Sequence, residues 1–121
     1  MKLLSYRSFI KESKEDIDSI CKKYDIRNYT INEDGSIDVG GDVNLYDKRL
    51  TELPLKFRKV SGNFFCDDNE LTSLEGSPLE VGGDFYCYRN QLLSLEGSPS
   101  EVGGDFYCYH NQLLSLDGSP E

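Results

Sequence analysis

Val81-Gly82-Gly83-Asp84-Phe85-Tyr86-Cys87-Tyr88-Arg89-Asn90-Gln91-Leu92-Leu93-Ser94-Leu95-Glu96-Gly97-Ser98-Pro99 is followed at 102–120 by the same string, changed only at His110 and Asp117. Val39, Val60, Val81 and Val102 stand 21 residues apart, so the period extends upstream of the two near-identical copies. The unit from Val60 keeps Phe64, Cys66, Asn69, Leu71, Leu74, Gly76 and Pro78. The unit from Val39 is more divergent but keeps Val43, Leu45, Leu50 and Leu53. A fixed period of this length is the signature of a solenoid, in which no unit buries its own apolar edge and stacked units bury one another's.

The pattern within a unit, Phe-x-Cys-x-x-Asn-x-Leu-x-x-Leu, resembles the leucine-rich repeat over roughly 39–121. That resemblance implies strands stacked into a parallel sheet that lines a concave face. The Val-Gly-Gly-Asp-Phe-Tyr-Cys and Asn-Gln-Leu-x-Ser-Leu-Glu-Gly-Ser-Pro phrases are also similar to short repeat proteins of bacteriophages, which implies an origin more than an activity. The expected fold is therefore α/β: a short leucine-rich-repeat-like solenoid with a parallel concave sheet and an N-terminal helical cap.

Residue chemistry points the same way. Alternation over Asp84-Phe85-Tyr86-Cys87-Tyr88 sends Phe85 and Cys87 to one face and Asp84, Tyr86 and Tyr88 to the other. Stacking then sets Phe on Phe, Cys on Cys and Leu on Leu. Asn69, Asn90 and Asn111 are placed to bond backbone where each strand bends, with Lys48 interrupting that ladder in the first unit. Gly76-Ser77-Pro78 and its copies are turn chemistry, and the Gly-Gly pairs at 40–41, 82–83 and 103–104 make the bend into each strand.

Residues 1–38 read as a cap and 39–121 as four repeats in one continuous domain. Ser13 followed by Glu15 and Asp16 has the form of a helix start. Ile17, Ile20, Cys21 and Tyr24 form an apolar stripe, which Phe9 and Ile10 would extend upstream. Thr30 to Val39 reads as two short strands around Asp34-Gly35. At the other end, Leu113, Leu116 and the strand around Phe106 have no following unit, and such an open edge invites pairing with a second copy.

The 121 residues fit one domain. The 13 Lys/Arg against 22 Asp/Glu give a net charge of -9, unevenly spread. Residues 1–27 hold seven basic groups and five acidic ones, whereas residues 61–121 hold eleven acidic groups and Arg89 alone. Acidity of this kind repels phosphate backbones, which argues against direct nucleic-acid binding. No apolar run is long enough to span a bilayer, and the first six residues lack a secretory pattern, so the expected compartment is the cytoplasm, of a host cell if the chain is phage-encoded.

No catalytic constellation, cofactor or metal site is expected. Cys66, Cys87 and Cys108 follow the repeat into the core as small hydrophobes rather than forming close Cys-x-x-Cys pairs. Cys108 points away from the side on which His110, the lone histidine, is placed. Asp42, Asp84 and Asp105, with Asn63 in the same column, read as solvated edge charges because they lack the Gly-x-Asp alternation of calcium-binding repeats.

What remains is the outward face. Its columns are Asn44, Phe65, Tyr86, Tyr107; then Tyr46, Asp67, Tyr88, Tyr109; then Asp47, Asp68, Arg89, His110. Tyr offers large contact area at low entropic cost, which suits a protein interface. Candidate partner-binding residues are Tyr46, Phe65, Tyr86, Tyr88, Tyr107 and Tyr109, flanked by Asp84, Asp105, Arg89 and His110. The expected function is non-catalytic binding of a protein, with inhibition of a host defence protein implied by the phage resemblance. Two other functions fit the sequence: an acidic mimic that blocks a nucleic-acid-binding protein, and a repeat protein that self-assembles as a dimer through its last unit.

Overall fold

A computed structural model describes residues 13–120; the expectations for the first six residues and for Phe9 and Ile10 fall outside them. Helix α1 (Ser13–Lys23) carries Glu15 and Asp16 in its first turn and Lys22 and Lys23 in its last, matching the helix dipole at both ends. Its stripe buries Ile17 and Cys21, with Ile20 and Tyr24 packed against the same core. Asp25, at φ 56°, turns the chain out of the helix. Strands β1 (Tyr29–Ile31) and β2 (Ile37–Val39) form an antiparallel hairpin around Gly35. β2 also pairs in parallel with β4 (Phe57–Val60), so the cap runs into the repeats without a break at residue 38. No helix among the described residues is long and apolar enough to cross a membrane.

The repeats build a parallel β-solenoid with two sheets where one was expected. Each unit places one short strand in either sheet. The first sheet runs β1-β2-β4-β6-β8, with β6 (Glu80–Val81) and β8 (Glu101–Val102). The second is β3 (Val43–Asn44), β5 (Phe64–Phe65), β7 (Phe85–Tyr86) and β9 (Phe106–Tyr107), all parallel and in register at intervals of 21. The bends between the two sheets lie at Gly41, Gly62, Gly83 and Gly104. Inside the coil, Phe64 stacks on Phe85 at 5.5 Å and Phe85 on Phe106 at 5.2 Å. Cys66 and Cys87, with Leu71, Leu74, Leu92 and Leu95, are essentially inaccessible.

Three side-chain ladders climb the coil. In the first, Asn69 Oδ1 accepts from the Lys48 and Leu50 amides, while its Nδ2 donates to the Leu45, Cys66 and Asp67 carbonyls. Asn90 and Asn111 repeat the arrangement one and two turns later. Each amide therefore serves its own rung and the one before it. With Lys48 at that place the first rung has no amide of its own, and Asn69 of the next rung supplies its bonds.

The second ladder adds to one expectation. The amides of Asn63, Asp84 and Asp105 each donate, at 2.7 Å, to the Oδ1 of the preceding Asp42, Asn63 or Asp84. Asp42 and Asp105 are exposed edge charges as expected, but Asp42, Asn63 and Asp84 also hold the bends together, and either Asp or Asn serves because only an acceptor oxygen is needed. In the third ladder Ser77 and Ser98 hydroxyls donate to the carbonyls of Gly97 and Gly118.

Candidate functional site

The outward face of the second sheet is built from strands two residues long. The first residue of each, Val43, Phe64, Phe85 or Phe106, points inward, so the second must point outward. In-register pairing then places Phe65, Tyr86 and Tyr107 above one another. Their rings stack at 4.6 and 4.8 Å with interplanar angles of 7° and 10°. Backbone bonds continue past the strands, from Cys66 to Tyr86 and Asp68 to Tyr88, then from Cys87 to Tyr107 and Arg89 to Tyr109. The next outward column is thereby kept in step. Tyr88 stacks on Tyr109 at 4.5 Å, and Tyr86 meets Tyr88 edge-on at 6.4 Å, so the two columns join.

Acidic neighbours fix the rings. Tyr86 donates to Asp84 Oδ2 at 3.0 Å and Tyr107 to Asp105 Oδ2 at 3.1 Å. The bond to Asp84 pushes the Tyr86 phenol up to about 12, and the bond to Asp105 raises Tyr107 likewise. Tyr88 is also raised to about 12, first by burial and then by the charge of Asp67. These phenols hold their protons at neutral pH and act as donors. Asp84 thus has two tasks, the backbone of the next rung on one oxygen and a phenol on the other.

The remaining predicted residues border the rings. Arg89 sets its guanidinium 5.9 Å from the Tyr88 ring centre and 3.6 Å from Asp68 Oδ1. His110 meets the Tyr109 ring edge-on at 5.1 Å. Asp47, Asp68, Arg89 and His110 share a left-handed backbone at φ 53–56°, the bend that ends each strand. Tyr46 and Tyr109 are about half exposed. Phe65 is half-buried, one ring face taken by Tyr86. The ten candidates thus lie on or beside one surface, with Tyr46 stacked on no other ring among the described residues.

Two observations concern chemistry elsewhere. Burial raises the thiols of Cys66, Cys87 and Cys108, the opposite of what a nucleophile needs. On the other sheet, an open groove is lined by Asp38, Lys59, Glu80, Glu101 and the first residue of each bend. Asp67 stands in the tyrosine column, beside the candidate residues rather than among them. The structure shows it buried, with Oδ1 lacking any hydrogen-bond donor. The signal was a single acid at a position where the other three rungs carry Tyr. Compared with known proteins, the chain matches no family model, no curated protein and no solved structure.

Proposed function

We propose that the chain is a non-catalytic protein-binding module that works through its tyrosine-lined face, the concave surface of a leucine-rich-repeat-like solenoid. The observation that supports this is the joined pair of aromatic columns, pre-ordered by stacking and by the Asp84 and Asp105 anchors. Rings already fixed lose little entropy when a partner covers them. Cross-strand stacking alone accounts for the order of the rings. It does not account for Tyr46, which is about half exposed and stacks on no other ring among the described residues.

The resemblance to bacteriophage repeat proteins makes a host protein the partner of choice, with inhibition of a host defence protein as the biological outcome. The test is capture of a protein by the wild type and its loss in a folded Tyr86→Ala/Tyr107→Ala/Tyr109→Ala variant.

A second reading, assembly of two copies, is favoured by Leu93 and Leu114, outward at the same place on successive rungs and 54% and 84% exposed. It predicts a mass that doubles with concentration in sedimentation equilibrium and stays monomeric in a Leu93→Ser/Leu114→Ser variant. A wild type that remains monomeric at high concentration removes this reading.

A further inference from the structure

On the last two rungs of the tyrosine face the phenol protons are already committed. Tyr86 donates to Asp84 Oδ2 and Tyr107 to Asp105 Oδ2. A phenol has one proton to give and lone pairs with which to accept, and a carboxylate only accepts. Each Tyr–Asp pair therefore offers an incoming molecule acceptor oxygens and no donor.

The same bonds leave the negative charge in place. Asp84 receives a phenol and the Asp105 amide, both of them neutral donors, so it is held in position without being neutralised. Asp105 stands in the same column one rung on, about 4.8 Å away by the spacing of parallel strands. Like charges stacked in this way destabilise each other. No cation of the chain answers them on these rungs. From residue 61 onward the only Lys or Arg is Arg89. Its guanidinium lies 3.6 Å from Asp68 Oδ1, past the second tyrosine column from Asp84 and Asp105.

We propose that the partner meets this face with a basic protein surface, whose lysine or arginine side chains lie over the Asp84–Asp105 border and donate to its carboxylate and phenol oxygens. The inference rests on the reading that the tyrosine face binds a protein, and it supplies the chemistry of that protein. Charge complementarity selects the partner. Lysine brings three donors and arginine five, and neither brings an acceptor. An acidic surface is repelled, a neutral one leaves the stacked carboxylates uncompensated, and nucleic acid carries the wrong sign. The tyrosine files beside the border supply contact area around the charges. Arg89 already shows a cation received on this face, its guanidinium 5.9 Å from the Tyr88 ring centre and beside a carboxylate.

The test is a titration of isotopically labelled protein with a short peptide of alternating arginine and serine, followed through the backbone amides. A peptide of alternating glutamate and serine is the comparison. The arginine peptide shifts residues 84–88 and 105–109 saturably, the shifts weaken with added salt, and the glutamate peptide gives none. Two variants of equal net charge locate the contact. Asp84→Asn/Asp105→Asn keeps the ladder oxygen, as Asn63 does in the same column, and weakens binding about fivefold. Glu80→Gln/Glu101→Gln, on the other sheet, changes it by less than about twofold. Equal weakening by the two variants, or shifts centred on Glu80 and Glu101, overturns the proposal, because the peptide then responds to net charge alone. Protein capture separates this inference from the one beneath it. A partner kept by Asp84→Asn/Asp105→Asn but lost by Tyr86→Ala/Tyr107→Ala/Tyr109→Ala sinks the basic surface alone. A partner kept by both variants sinks the tyrosine face as well.

Discussion

Gly83 has no side chain because a Cβ there would be driven into Asn63 Oδ1, the acceptor that holds the next rung; Gly62 and Gly104 meet Asp42 and Asp84 in the same way. Gly40, one position earlier in the bend of the first rung, has only ordinary contacts to Asn28. Gly83→Ala therefore costs about 3 kcal/mol, while Gly40→Ala stays within about 0.5 kcal/mol, as denaturant melts would show. Asp67 gives a prediction of a different kind. Burial, the largest influence, raises its carboxyl, so the native state holds this proton more tightly than the unfolded chain, where it leaves at about 3.8. The contribution of Asp67 to stability is thus fullest below that value and declines as pH rises through the folded value. Asp67→Asn removes the decline, so the melting temperature of the variant gains on the wild type between acid and neutral pH. A constant difference across that range would show that Asp67 does not titrate in this way.

At the level of the element, the asparagine ladder was legible in the sequence and the aspartate ladder was not. Asn69, Asn90 and Asn111 recur at the strand end, where an amide is known to be needed. Asp42, Asn63 and Asp84 change between acid and amide, and the partner of each is a backbone amide 21 residues on, which no local pattern reveals. The strands β6 and β8 were hidden for a similar reason: Glu-Val is too short to show alternation. The aromatic columns were legible because the period alone puts Tyr above Tyr. Within the ladder, burial decides the cost of losing a rung. Asn90→Ala leaves the Leu71 amide and the Cys66 and Cys87 carbonyls short of partners inside the coil, costing about 3 kcal/mol. Asn111→Ala, where the side chain is only partly buried, costs about 1 kcal/mol. Equal losses for the two would mean that the bonds to the backbone do not carry the ladder.

For the whole molecule, the repeat divides labour between two faces of one coil. The stacked Phe, Leu and Cys columns and the three ladders stabilise the inside, and they set the outer residues in files with no further design. The files on the second sheet are aromatic and held by acids; those on the first are the charged side chains Asp38, Lys59, Glu80 and Glu101 along the open groove. The two faces differ in chemistry, and the proposal of a tyrosine-face binder stands on that difference. The most direct measurement is protein capture from a native host lysate by three folded forms: the wild type, Tyr86→Ala/Tyr107→Ala/Tyr109→Ala on one sheet, and Lys59→Ala/Glu80→Ala/Glu101→Ala on the other. The account predicts one partner held by the wild type and the groove variant and lost by the tyrosine variant. A partner held by the tyrosine variant and lost by the groove variant would contradict it.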